Sequence, residues 1–254
     1  PTTGINHIEE NYCKKKSIEI LSLRNESNFL KSITTTAEHA WMLMLMCGRS
    51  SKQMFENTAN HNWDRNGLDI MQFKNKVVGI IGIGRLGKIL EEYSYSFGMK
   101  VIYNDINEQK SSKYITSKRS SLEDLLKKSD VIFLSASYAE NRQKLIISSE
   151  QIKIIKKGSI FINISRGELI DNKSLLNSLK KGLLKAIGLD VLPKDSEWNG
   201  ESQYSLKNNQ LYKCLIKEPN VYLTPHVGGY AKEAIYSTRN FILEKAMKFA
   251  GINQ

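Results

Sequence analysis

Few folds accept an apolar, β-branched run that feeds a glycine-rich turn, and residues 77–105 contain one. Val77, Val78, Ile80 and Ile81 enter Gly82-Ile83-Gly84-Arg85-Leu86-Gly87. A helical stretch follows, and a second apolar run, Val101-Ile102-Tyr103, ends at Asp105. The pattern predicts strand, helix and parallel strand. Gly82 permits the tight turn, Gly84 lets a pyrophosphate approach bare backbone, and Gly87 lets the helix lie close to the strand. The helix N-terminus then offers unpaired N–H groups and partial positive charge to phosphates. Asp105 stands 18 residues beyond Gly87. A carboxylate there would accept a hydrogen bond from a ribose 2′-hydroxyl and repel a 2′-phosphate, which favours NAD over NADP.

The rest of the chain extends this unit. Ser121 to Lys128 has helical spacing with Ser120 or Ser121 as cap, and Asp130 to Leu134 reads as a short buried strand. Gln151 to Ile155 suggests a helix, Ser159 to Asn163 a strand, Asn172 to Lys181 a helix ended by Gly182, and Ala186 to Val191 a strand. Apolar strands alternating with helices call for a parallel sheet covered on both faces. The fold class is therefore α/β, a doubly wound parallel sheet, with ligands at the strands' carboxyl ends. Thr36 to Gly48 is a strongly apolar helix candidate, Tyr230 to Phe249 a long amphipathic one, and Pro193 to Asn209 a polar, irregular excursion.

The chain has 254 residues, 41% hydrophobic and 25% charged, with a net charge of +11. Its lysines are scattered as pairs, apart from one triplet at Lys14 to Lys16, and no basic stripe with stacking aromatics marks a nucleic-acid surface. The charge reads as a solvated surface that also draws in anionic ligands. Cys13, Cys47 and Cys214 are far apart and lack metal-ligand spacing, which fits reduced thiols in a cytoplasmic protein and no metal site. The longest apolar stretch, Ala40 to Cys47, is too short to span a bilayer.

Three motifs fall at predicted strand ends: Asn163-Ile164-Ser165-Arg166-Gly167, Gly188-Leu189-Asp190-Val191, and Thr224-Pro225-His226-Val227-Gly228-Gly229. With the glycine loop, in this order, they resemble the D-isomer-specific 2-hydroxyacid dehydrogenase family, and the likeness covers essentially the whole chain. Thr3-Gly4-Ile5-Asn6-His7 and Trp63-Asp64-Arg65 are similar to segments of 3-phosphoglycerate dehydrogenase-like members. The resemblance implies an NAD-dependent enzyme moving a hydride between nicotinamide and the 2-carbon of a small D-2-hydroxy acid, 3-phosphoglycerate being one candidate.

That chemistry needs a cation for the substrate carboxylate and carbonyl, a base for the hydroxyl proton, and an acid to tune the base. Arg166 fits the first role through its guanidinium fork. His226 fits the second, because imidazole titrates near neutrality. The family usually places a glutamate where this chain has Asp195. Asp195 acts directly after a local backbone shift, or Glu197 swings in from the next loop, or the relay is weakened.

Further roles follow from the resemblance. Arg85 and Leu86 offer amides to the pyrophosphate, and Ile164, Ser165 and Arg166 line the nicotinamide ribose. Asp190 accepts from the nicotinamide carboxamide, and Gly228 and Gly229 flank the cofactor beside His226. Ser137 stands on the adenine side, with Ser135 where relatives often have histidine. The backbone of Thr3, Gly4 and Ile5 faces the substrate carboxylate, while His7 and His39 read as structural.

Residues 33–228 form the expected NAD-binding Rossmann domain. Residues 1–32 and 229–254 read as part of an incomplete flavodoxin-like substrate domain, leaving apolar surface uncovered and a sheet edge unpaired. Relatives commonly form homodimers, to which the Thr36–Gly48 helix or the segment through Trp63 would contribute. A corepressor-like NAD(H)-binding protein, or an inactive remnant that still binds dinucleotide, are the competing readings.

Overall fold

One sheet holds seven parallel strands, numbered along the chain as β1 (Val77–Ile81), β2 (Lys100–Asn104), β3 (Lys118–Arg119), β4 (Val131–Leu134), β5 (Ser159–Asn163), β6 (Leu184–Leu189) and β7 (Val221–Leu223). This is a computed structural model, and it describes residues 8–112, 114–137, 145–195 and 203–252. The strand order is β3-β2-β1-β4-β5-β6-β7, so β1 lies between β2 and β4, with Ile81 opposite both Asn104 and Leu134. The chain winds one way through β2 and β3, then crosses back to β4. Such a reversal opens a crevice at the carboxyl ends of β1 and β4.

Burial explains the strands. All four residues of β4 and all five of β5 are buried, as parallel strands under two helical layers must be. Burying Phe133 or Phe161 contributes roughly 1.5–3 kcal/mol each. One face is covered by α3 (Thr35–Gly48) and α5 (Arg85–Ser96), where Trp41 stacks 6.0 Å from Phe133 and meets Tyr93 edge-on. Cys47 of α3 is 1% exposed in this layer, and burial drives its thiol pKa far up. The other face is covered by α6 (Leu122–Lys128), α7 (Ser149–Lys153) and α8 (Asn172–Lys180), through Leu125, Leu126, Ile152, Leu175 and Leu176. Ser121 is the cap of α6, accepting from the Asp124 amide at 3.1 Å, a bond that stabilises a helix by about 1 kcal/mol.

Several elements escape the periodicity. α4 (Ser51–Ala59) follows α3, and the excursion expected after Pro193 contains α9 (Gln203–Asn208), with α10 (Gln210–Leu215) just beyond it. Asn209 caps α10 by accepting from the Tyr212 amide at 3.0 Å. Lys118–Arg119 is a strand only because the free edge of β2 pairs with it, Ile102 opposite Lys118.

The chain divides into two compact units, Thr36–Gly228 and Pro1–Thr35 with Gly229–Gln254. The second contains α1 (Glu10–Lys15), α2 (Ser27–Leu30) and α11 (Lys232–Phe249). Phe29 of α2 stacks on Phe241 of α11 at 4.1 Å, and Lys245 pairs with Glu26 at 2.5 Å. Among its described residues this unit has no strand, so the unpaired sheet edge expected there is not seen. The expected apolar exposure is present at Tyr12, Ile18, Tyr236, Leu243 and Phe249. No helix among the described residues is long and apolar enough to cross a membrane.

Candidate active site

The glycine loop leaves β1 as a cradle. Gly82 has φ +94°, and a Cβ there would lie 2.5 Å from Ala136 Cα in the segment leaving β4. A Cβ on Gly87 would sit 2.2 Å from Gly82 O, so only glycine lets α5 start this close to the turn. Around Gly84 the space is open, and α5 begins there with no side-chain cap. A helix N-terminus of this kind favours an anion. Ser135 donates to Gly82 O at 2.9 Å and ties β4 to the loop, while Ser137 is exposed beyond it. Across the loop the Asp105 carboxylate, 5% exposed, accepts from the Ile83 amide through Oδ2 and the Asn107 amide through Oδ1, both at 2.9 Å. Bare backbone, open space at Gly84 and the start of a helix are what a dinucleotide pyrophosphate requires, and the residues present fit it.

At the end of β5, buried Asn163 accepts from the Ser165 amide at 2.9 Å and donates to Arg166 O at 3.0 Å. Ser165 also donates to Ala136 O. Ile164 and Ser165 are buried and Arg166 is half-buried, with Nη1 donating to Ser165 O at 2.8 Å. Gly167 then presses on the Leu192-Pro193 backbone, where a Cβ would come within 2.1 Å of Leu192 C. This close approach brings the arginine loop to the loop that carries Asp195.

Asp195 Oδ2 lies 3.0 Å from His226 Nδ1. The same oxygen accepts from the Leu192 amide at 3.2 Å. Of the acids weighed from sequence, Asp195 makes the contact, and Glu197 lies outside the described residues. Lys194, just before it, has φ +61°, in the left-handed region, and donates its amide to Glu168 at 2.8 Å. The Asp195 hydrogen bond raises the His226 pKa above its ordinary value. Burial and the Arg166 charge pull it down, and the Asp190 charge adds to the lift. Arg166 and His226 are thus within electrostatic reach of each other. With Nδ1 on Asp195, Nε2 is the ring nitrogen left for chemistry, and among the described residues it has no hydrogen-bond partner.

Asp190 has a task that sequence reading did not give it. Oδ1 accepts from Thr224 Oγ1 at 2.7 Å and the Val227 amide at 2.9 Å, and Oδ2 from the Gly228 amide at 2.8 Å. His39 Nε2 lies 3.2 Å from Oδ1 and 2.9 Å from Thr224 Oγ1. Thr224 spends its proton on Asp190, so His39 Nε2 carries a proton of its own. Burial works against the Asp190 charge, yet hydrogen bonds from His39, Thr224, Gly228 and Val227 hold its pKa below the usual carboxylate value. The carboxylate gathers the whole 224–228 loop. Within it His226 has φ +54°, its amide bonded to Asp190 O and Thr224 O. A non-glycine residue in this conformation costs on the order of 1–3 kcal/mol and persists only where its surroundings enforce it.

Residues 41–228 match the family described as D-isomer specific 2-hydroxyacid dehydrogenase, NAD binding domain. The chain belongs to that family, and its cofactor is NAD. It is 31% identical over 220 residues to a glyoxylate reductase of Thermococcus kodakarensis, covering 82% of this chain and 60% of that one. To a D-specific alpha-keto acid dehydrogenase of Enterococcus faecium it is 29% identical, covering 97% and 73%. Among solved structures, D-lactate dehydrogenase from Aquifex aeolicus complexed with NAD and lactic acid superposes with a TM-score of 0.85 at 26% identity, over 99% of this chain and 75% of that chain. D-2-Hydroxyisocaproate dehydrogenase gives 0.84 at 27% identity, over 97% and 73%. The chain thus spans about 60% of the first of these relatives.

Asn163, Gly167 and Thr224 have no role in the sequence reading, and His39, read there as structural, joins the Asp190–Thr224 network. Asn163, Gly167 and Thr224 all lie inside motifs read from the sequence, the first two in a turn tight enough to signal them. His39 is 185 positions from Thr224, and nothing local signals the contact. Gly229 begins the other unit, with nothing within 4 Å of a Cβ there. Thr3, Gly4, Ile5 and His7 lie outside the described residues.

Proposed function

We propose that this protein interconverts a small D-2-hydroxy acid and its 2-oxo acid, with NAD supplying the hydride acceptor when bound. The carrying observation is the His226–Asp195 pair at 3.0 Å, within reach of the Arg166 charge. In oxidation, His226 Nε2 takes the hydroxyl proton as the 2-carbon gives up its hydride, and Asp195 stabilises the resulting imidazolium. Arg166 holds the carboxylate and polarises the carbonyl oxygen, a pairing worth most where water is excluded. Ile164 and Ser165 would line the nicotinamide ribose of the bound cofactor, and Gly228 would lie beside it. Residues 1–32 and 229–254 belong to the substrate domain. A second copy pairs through the 36–63 segment, where Trp63 is 90% exposed.

The names of the relatives favour short 2-oxo acids, and 3-phosphohydroxypyruvate tests the phosphoglycerate reading. Folded protein incubated with NADH and glyoxylate, pyruvate or 3-phosphohydroxypyruvate is expected to consume NADH with at least one of them. Binding of NADH without any substrate-dependent loss of its absorbance would instead favour the corepressor-like or remnant reading.

The His226 pKa shift sets a pH dependence. Oxidation needs the neutral ring, so its rate rises with pH through a midpoint above that of ordinary histidine. Reduction needs the protonated ring and falls through the same midpoint. Asp195→Asn removes the largest cause of the lift and should move both midpoints to lower pH. An unmoved profile would show that Asp195 does not tune the base.

A further inference from the structure

The loop that leaves β2 carries a cation where a dinucleotide-binding acid would otherwise face its ligand alone. Lys110 Nζ is 3.8 Å from Asp105 Oδ2. It is also the nearest atom, at 3.9 Å, to the open position a Cβ on Gly84 would take. The ammonium therefore overhangs the glycine cradle, with its side chain 43% exposed. The Asp105 carboxylate beneath it is nearly sealed off and already accepts from two backbone amides. An acid at this position binds the ribose 2′-hydroxyl, whereas a cation nearby accommodates a 2′-phosphate. Here the acid's oxygens are occupied by backbone amides, and a lysine ammonium stands 3.8 Å away, open to solvent.

The loop is built to keep the lysine there. The Arg119 guanidinium donates to four carbonyls, Asp105 O at 2.9 Å, Asn107 O at 3.0 Å, Glu108 O at 3.2 Å and Lys110 O at 2.6 Å. It lies over the Tyr103 ring at 5.6 Å. One planar fork thus gathers the loop from its first residue to its last, and only an arginine has the donors for it.

We propose that Lys110, positioned by Arg119, is a specificity-determining residue of the cofactor site that makes it accept the 2′-phosphate of NADPH as well as the free ribose of NADH. This rests on the dinucleotide reading of the glycine loop and reverses the strict NAD preference that Asp105 alone implies. The lysine offers a charge-assisted hydrogen bond to the phosphate.

NADH and NADPH titrated separately into the full chain, with binding read by calorimetry, test it without reference to turnover. Their dissociation constants are expected to agree within about 10-fold. Lys110→Gln, a change at an exposed side chain, should weaken NADPH by about 10-fold or more, the cost of one hydrogen bond to a charged group, and leave NADH nearly unchanged. Arg119→Lys keeps the charge but not the fork and should shift the NADPH-to-NADH ratio in the same direction. Rejection of NADPH by more than about 100-fold in the parent protein would overturn the proposal. So would an equal loss of both ligands in Lys110→Gln, which would place the lysine on the shared pyrophosphate. Failure of both ligands to bind a folded parent protein would remove the dinucleotide reading as well.

Discussion

His226→Asn is expected to lower turnover of the best 2-oxo acid by about 10²–10⁴-fold, the usual contribution of a positioned acid–base group, while NADH binding survives. The variant keeps a side chain of similar reach but cannot carry a proton at neutral pH. Its position at φ +54° favours asparagine among replacements, because asparagine tolerates the left-handed region better than most residues. Loss of folding is therefore not the expected outcome. Single-turnover measurement at saturating NADH separates the two effects. Turnover within a few-fold of the parent would remove His226 from proton transfer, and loss of NADH affinity in parallel would make it a cofactor ligand first.

The second large effect concerns stability. Asp190→Asn preserves shape but exchanges one acceptor oxygen for an NH2 group. Whichever way the amide turns, it faces either the Gly228 amide or the Thr224 and Val227 donors, and a buried donor is left without a partner. The expected cost is roughly 2–4 kcal/mol. That corresponds to a fall in melting temperature on the order of 5–15 °C for a unit of this size. The pH dependence has a definite sign. The folded pKa is depressed, so the stabilisation is complete above the unfolded carboxylate pKa and fades as pH falls through the folded value. Asp190→Asn should therefore unfold with a shallower acid dependence than the parent protein, and identical melting curves at neutral pH would contradict the organising role.

Much of the scaffold is legible in the residues because its signals are local. Gly82, Gly84 and Gly87 each answer a need set within a few residues, and β4, β5 and β6 are runs that no surface position would tolerate. Asp105 at the end of β2 follows from the same short-range geometry. What could not be read depends on distant partners. Lys118–Arg119 is polar and exposed, and becomes a strand only because β2 has a free edge. His39 finds Thr224 from 185 positions away in the chain. The contact of Asp195 with His226 joins residues 31 positions apart, beside a left-handed Lys194 that no propensity forecasts for lysine. Lys110 and Arg119 lay in a polar segment with no motif, and their importance comes from four carbonyls converging on one guanidinium.

The helix that carries His39 also carries Cys47, sealed against the sheet with its ionisation suppressed. Thiol chemistry proceeds through the anion and needs access, so this sulfur is shielded twice over from oxidants and alkylating reagents. Cys13 and Cys214 are each partly open. The three thiols accordingly form a built-in clock: two that react from the native state, and a third whose modification can begin only when the helical layer lifts from the strands.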